Sequence, residues 1–163
     1  SKTVAPGMRT GFLISENREL LHYLSVAKEA CDLHTNIFSQ YILWDYLENN
    51  DLDAHIAKIK ALYQKQAQAM TDAMARYFPA MVRYTKPKGG MFLWVTLPEG
   101  VSAMSLFPKA LEKGVAFVPG DPFYADRKNV GTMRLNFTNA DCATIEEGIR
   151  RLGELLKNCT SAR

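Results

Sequence analysis

A long amphipathic segment in the middle of the chain constrains the fold most. Apolar residues recur at three- and four-residue steps from Ile56 to Tyr77, and Pro79 stands just after them. This spacing puts the apolar side chains on one face of a helix of about seven turns, which the proline ends because it cannot donate a backbone hydrogen bond. We predict that this Met- and aromatic-rich face packs against a domain, with a ligand surface as the alternative.

Short strands alternate with helices after Pro79. Alternating or branched apolar runs predict strands over 82–85, 91–97, 115–118 and 132–137. A helix is predicted over 102–113, with Pro108 near its first turn and Gly114 just past its end. Asp141 is the expected N-cap of a last helix, whose apolar face carries Ile145, Ile149, Leu152 and Leu156.

The part of the chain before the long helix is predicted to be mostly helical, with one short strand. The run 11–14 fits a short buried strand, and Ser15 is the expected cap of a helix over 18–30. A further helix carries Ile37, Tyr41, Trp44 and Leu47, and Asp51 is the expected cap of the long helix. We therefore predict the end of one domain over 1–35, connecting helices over 36–78 and a small α/β domain over 79–163.

Composition excludes several classes of protein. The chain has 163 residues and a net charge of only +3, with scattered basic residues, which does not favour nucleic-acid binding. Three cysteines and three histidines have no metal-ligand spacing, so we expect reduced thiols, no metal and a cytoplasmic protein. No membrane span or signal peptide is predicted. Because residue 1 is not Met, both a processed N-terminus and a piece of a longer chain stay open.

The first eleven residues, SKTVAPGMRTG, place Lys2 and Arg9 on either side of a Pro-Gly turn. A lysine amine forms a Schiff base with an aldehyde cofactor when its pKa is low enough to leave free base. An arginine fork binds phosphate through two charge-assisted hydrogen bonds. One turn can therefore bring both groups to a cofactor that carries an aldehyde and a phosphate. An ordinary surface turn with two cations is the alternative.

Four segments, in the same order, resemble those of the class I/II, or fold-type-I, pyridoxal-phosphate-dependent aminotransferases. SKTVAPGMRTG is similar to the cofactor-lysine segment of that family, S-K-x-x-x-P-G-x-R-x-G. The other three are KGGMFLW at 88–94, GVAFVPGDPFY at 114–124 and MRLNF at 133–137. The resemblance spans essentially the whole chain. It looks closest to the branch that holds 2-aminoadipate and kynurenine aminotransferases and the effector domains of MocR-type transcription regulators.

The resemblance implies roles for six residues. Lys2 would hold pyridoxal 5′-phosphate and carry the proton, and Arg9 would bind the cofactor phosphate. Arg134 would bind the substrate α-carboxylate, because a partly desolvated arginine on a rigid strand suits a bidentate pair. From the strand pattern alone, an outward-facing Arg134 is the alternative. Weaker substrate contacts are implied for Gly90, Phe92 and Tyr124, with ordinary aromatic packing as the alternative for Phe92 and Tyr124.

The resemblance also implies a fold and partners. The fold would be α/β: the end of the aminotransferase large domain plus the small C-terminal α/β domain. The full-length parent would be a cytoplasmic homodimer that transfers an amino group between an amino acid and a 2-oxo acid. No metal, membrane or nucleic acid is expected, except that a MocR-type regulator would bind nucleic acid.

The family's other cofactor contacts come before the lysine and cannot be located in this chain. We therefore expect the isolated chain to be inactive, to bind the cofactor weakly or not at all, and to self-associate through bare apolar faces. Two alternatives stay open. The parent is a MocR-type regulator, or the chain is a non-catalytic folding or interaction module.

Overall fold

The computed structural model describes residues 3–126 and 130–160 and divides the chain into two compact units. The first is Ser1–Lys58 and the second is Ile59–Arg163, so the boundary falls inside one long helix. We call these units the first and second regions. No helix in the described ranges is both long enough and apolar enough to cross a membrane.

The helices of the first region begin at side-chain caps. After a 3₁₀ turn at Pro6–Met8 come α1 (Arg18–Cys31), α2 (Ile37–Asn49) and the start of α3 (Leu52–Tyr77). Asn17, Asn36 and Asp51 each accept a hydrogen bond from the amide three residues on, at 3.0, 3.0 and 2.9 Å. These caps satisfy amides that a first helical turn leaves unpaired. The cap of α1 is thus Asn17 and not Ser15, whose hydroxyl accepts from the Asn17 amide.

The strand predicted over 11–14 does not form. Phe12 is 90% exposed and Ile14 is 84% exposed, and none of the described residues 3–58 is buried. A strand needs a neighbour to pair its amides and carbonyls. The four strands that the structure describes pair only with one another, in the second region. The run is apolar, but it has no pairing partner among the described residues.

The second region is built on an antiparallel sheet of four strands in the order β1-β2-β4-β3. These strands are β1 (Arg83–Tyr84), β2 (Phe92–Thr96), β3 (Val118–Pro119) and β4 (Thr132–Asn136). The longest pairing joins β2 and β4, with Trp94 opposite Arg134. The predicted mixture of helices and strands is confirmed. The third strand, however, only begins where the predicted run 115–118 ends.

The core lies on one face of this sheet. The later part of α3, α4 (Ala103–Glu112) and α5 (Cys142–Thr160) contribute its helical residues. From the sheet, Leu93 and Val95 of β2 and Met133 and Leu135 of β4 are buried in it. Burial of each such side chain stabilises the fold by about 1.5–3 kcal/mol. Because side chains alternate along a strand, the residues between them lie on the opposite face.

Helix α5 begins as predicted and packs closely on α3. Asp141 caps it by accepting from the Thr144 amide at 2.7 Å, and this bond lowers the pKa of Asp141. Gly153 lies so close to α3 that a Cβ there would be 2.6 Å from the Tyr77 carbonyl oxygen. Pro108 lies inside α4 and not near its first turn as predicted, which leaves one intrahelical hydrogen bond unmade.

Candidate active site

Arg9 ends the 3₁₀ turn of the first region. Its backbone is left-handed, with φ 53° and ψ 28°, and its amide donates to the Pro6 carbonyl at 3.3 Å. The left-handed conformation is uncommon for a residue other than glycine. The side chain is exposed, and within the described residues it has no ion pair or hydrogen bond. Lys2, predicted seven positions earlier, lies outside the described residues.

Arg134 occupies the middle of β4, on the sheet face opposite the core. It lies between Trp94 of β2 and Val118 of β3 in the strand register. Its neighbours Met133 and Leu135 are buried in the core, whereas Arg134 itself is half-buried. The alternating strand therefore holds the guanidinium on a rigid base away from the core.

Two aromatic rings hold the guanidinium of Arg134. Its central carbon lies 4.1 Å from the centroid of the Phe92 ring and 4.9 Å from that of Phe123. The Phe123 ring in turn meets Trp94 edge-on, with centroids 5.4 Å apart. Each cation–π contact of this kind contributes about 0.5–2 kcal/mol. We call Phe92, Trp94, Phe123 and Arg134 the aromatic clamp.

The Nε of Arg134 is buried and has no hydrogen-bond partner among the described residues. No ion pair joins Arg134 to a carboxylate in the part of the chain that the structure describes. A buried N–H without an acceptor is costly, and a guanidinium carries five N–H donors in a planar fork. The clamp therefore holds a positive charge that the described protein does not neutralise, which suits an external carboxylate.

The turn that carries Phe123 is anchored to β4. The Gly120 amide donates to the Thr132 carbonyl at 2.7 Å, and a Cβ on Gly120 would lie 2.0 Å from the Thr132 hydroxyl. Only glycine fits such an approach. Tyr124 adds a second link, because its hydroxyl lies 3.3 Å from the Thr132 hydroxyl, which donates to it.

Gly90 precedes β2 and has a left-handed φ of 79°. A Cβ added there would meet nothing within 4 Å, so the backbone conformation and not crowding favours glycine at this position. Of the predicted site residues, the structure brings Phe92 and Arg134 into contact and ties Tyr124 to the same strand.

Sequence reasoning did not assign Phe123 or Trp94 to the site. A signal was present, since Phe123 occupies the fixed phenylalanine of the segment G-V-x-x-x-P-G-x-x-F. Its contact with Arg134 joins residues eleven positions apart in sequence and depends on how the turn folds back onto β4.

No family model matches the chain. Aromatic-amino-acid aminotransferase 1 of Thermococcus litoralis is 47% identical to it over 157 residues, which are 96% of this chain and 37% of that protein. A solved structure of LysN, an α-aminoadipate aminotransferase from Thermus thermophilus complexed with N-(5′-phosphopyridoxyl)-L-leucine, matches with a TM-score of 0.91 and 42% identity. That match covers 100% of this chain and 41% of the other.

A more distant relative belongs to another class of protein. The uncharacterized HTH-type transcriptional regulator YdfD of Bacillus subtilis is 25% identical over 161 residues, which are 99% of this chain and 33% of the regulator. The chain thus spans well under half the length of each of these relatives.

Proposed function

We propose that this chain, which has the sequence and the fold of the C-terminal part of the fold-type-I aminotransferases, is the C-terminal segment of a pyridoxal-phosphate-dependent aminotransferase. The family that the four sequence segments predicted is confirmed by these relatives. Since the chain spans only 37% of the aromatic-amino-acid aminotransferase, the activity proposed is that of a longer parent protein. That parent moves an amino group between an amino acid and a 2-oxo acid.

The observation that carries this proposal is the unneutralised guanidinium of Arg134. Amino acids and 2-oxo acids share a carboxylate next to the reacting carbon. The guanidinium fork of Arg134 binds that carboxylate through parallel hydrogen bonds, which also orients the neighbouring carbon. Phe92 supports the guanidinium from its ring face, and Gly90 and Tyr124 complete the substrate side of the proposed site.

The residues present also fit a phosphate-bearing cofactor. Arg9 presents an exposed guanidinium that no described residue pairs, as a phosphate anchor requires. Lys2 is proposed to hold the cofactor and to carry a proton on its Nζ to and from the substrate α-carbon. When bound, pyridoxal phosphate supplies an electron sink for the negative charge that develops at that carbon.

Substitution of Arg134 in the full-length parent tests the proposal. Arg134→Gln should raise KM for the amino acid donor about a hundredfold or more, because a buried charge-assisted pair is lost. Arg83→Gln, which changes an exposed arginine on β1, is the matched control and should leave KM nearly unchanged. An unchanged KM in Arg134→Gln would exclude the assigned carboxylate role.

Cofactor binding gives a second, spectroscopic test. A visible-absorbance titration of the parent with pyridoxal phosphate should saturate, and borohydride followed by peptide mapping should recover the cofactor on Lys2. The 163-residue chain alone should show no saturable band, because the family's other cofactor contacts precede the lysine. A tight, saturable band in the isolated chain would contradict this prediction.

The same proposal includes a homodimeric parent in the cytoplasm, where the free cysteines Cys31, Cys142 and Cys159 stay reduced. The domain boundaries near residues 35 and 78 likewise stay predictions.

A regulator is the second candidate, because a transcriptional regulator shares 25% identity over nearly the whole chain. The higher identity to aminotransferases favours the enzyme. A winged-helix domain encoded upstream in the same reading frame would favour the regulator instead.

A further inference from the structure

We propose that Phe123 is a positioning residue that fixes the plane of the Arg134 guanidinium for carboxylate binding. This inference rests on the carboxylate-binding role proposed above for Arg134. Phe123 does not need to touch the substrate to act in this way. It restricts the orientations that the guanidinium can adopt.

Backbone hydrogen bonds fix the position of the turn that carries the Phe123 ring next to Arg134. Gly120 is pinned to β4 by its 2.7 Å bond to the Thr132 carbonyl, two residues before Arg134. The Phe123 amide donates back to the Gly120 carbonyl at 2.8 Å, which closes the 3₁₀ turn Asp121–Phe123. These two bonds tie the turn to the strand, and the ring centroid lies 4.9 Å from the guanidinium carbon.

Trp94 holds the other side of this arrangement. It lies directly opposite Arg134 in the β2–β4 register and meets the Phe123 ring edge-on at 84°. Edge-to-face packing is one of the two favoured geometries for a pair of aromatic rings. The Phe123 ring is thus contacted by both Trp94 and Arg134, while it is still 48% exposed.

Aromatic rings position a guanidinium without consuming its charge. A carboxylate partner would hold Arg134 equally well, but it would occupy the N–H groups that a substrate needs. Asp121, on the same turn as Phe123, forms no ion pair with Arg134 within the described residues, and its own Oδ2 has no partner there. Ring faces attract the cation and leave its terminal N–H groups without a partner among the described residues.

The test compares substitutions at Phe123 in the full-length holoenzyme. Phe123→Leu keeps an apolar side chain but removes the ring, and should raise KM for the amino acid donor about tenfold with little change in kcat. Phe123→Tyr keeps the ring and should restore KM to nearly the wild-type value. Phe107→Leu is the matched control, since Phe107 belongs to another edge-on pair, with Phe117 at 5.3 Å.

Two ligands that differ only in charge distinguish a positioning role of Phe123 from a general loosening of the binding site. Dissociation constants are measured for the amino acid donor and for its α-carboxamide, which lacks the negative charge. Phe123→Leu should weaken binding of the acid and leave binding of the amide nearly unchanged. Equal weakening of both ligands, a wild-type KM in Phe123→Leu, or failure of Phe123→Tyr to restore KM would each overturn the inference.

An NMR measurement on the unmodified holoenzyme covers the case in which Phe123→Leu does not fold. The Nε–Hε signal of Arg134, identified by its loss in Arg134→Lys, should be shifted upfield by the ring faces and protected from solvent exchange. A signal at the position of exposed arginines would overturn the inference. If Arg134→Gln binds the amino acid donor as tightly as the wild type does, the proposed function fails. If Arg134→Gln binds it weakly but Phe123→Leu binds it as tightly as the wild type does, the proposed function stands and this inference fails.

Discussion

In the first region, α1 and α2 begin at asparagine caps and carry many apolar side chains, yet none of the described residues 3–58 is buried. In the second region, α4 and α5 begin at the side-chain caps Ser102 and Asp141, their apolar faces are covered, and Met74, Val95 and Leu156 are fully buried. The comparison shows that local signals place a helix but do not supply the surface that covers it.

The difference has an energetic consequence. Helices of 14 and 13 residues, the lengths of α1 and α2, are marginal alone in water. Phe38 is 74% exposed and Trp44 is 60% exposed, so packing within the described chain adds little to their stability. Such exposure agrees with the proposed function, in which the rest of a longer protein covers these helices.

The largest effect on the free energy of unfolding is expected from a cavity in the core of the second region. Met74→Ala should lower the free energy of unfolding by about 2–5 kcal/mol, because it removes a buried side chain and leaves a cavity. Phe38→Ala, the matched change in the first region, should alter it by about 0.5 kcal/mol or less. Urea unfolding of the 163-residue chain measures both, and similar losses would remove the distinction between the regions.

A smaller effect is expected from added methyl groups. Gly153→Ala should destabilise by about 1–3 kcal/mol, because the new Cβ would meet the Tyr77 carbonyl. Gly148→Ala, on the same helix but with nothing within 4 Å, should stabilise by about 0.5–1 kcal/mol. Gly11→Ala in the first region also meets nothing within 4 Å and should not destabilise. Thermal unfolding distinguishes the three, and a neutral Gly153→Ala would show that α3 and α5 pack less closely.

The smallest effect concerns acid stability. Hydrogen bonds from Arg150 and then Arg151 lower the pKa of Glu147 from 4.5 to about 2. Because this pKa is depressed on folding, the stabilisation is complete above pH 4.5 and is lost as the pH falls towards 2. Glu147→Gln should therefore reduce the loss of stability on acidification.

The effect of Glu147 should be modest and weaker in high salt, because the group is on the surface. Asp32→Asn, which breaks the single exposed pair Lys28–Asp32 described in the first region, is the matched control and should change the acid response less. Unfolding midpoints at neutral pH and at about pH 3 measure both variants. An acid response that Glu147→Gln leaves unaltered would argue against this account.

Much of the secondary structure followed from local chemistry. Asp51 and Asp141 cap helices as predicted, and Gly114 follows α4 with a left-handed φ of 72°. The run 11–14 was wrong as a strand because strand formation depends on a partner as well as on apolar residues. The prediction that Ser15 caps α1 was also wrong. Asn17 and Ser15 both carry an acceptor oxygen, and only the folded geometry decides that Asn17 accepts from the helix amide.

The sequence by itself determined the resemblance to the aminotransferases, the positions of the helices and the alternation that puts Arg134 opposite the core side of its strand. Only the tertiary structure decided which groups meet that arginine. Trp94 lies opposite it through strand register, and Phe123 reaches it because Gly120 lets the turn close onto Thr132. The reason is physical: caps and periodicity act over three or four residues, whereas register and close approach join positions far apart in the chain.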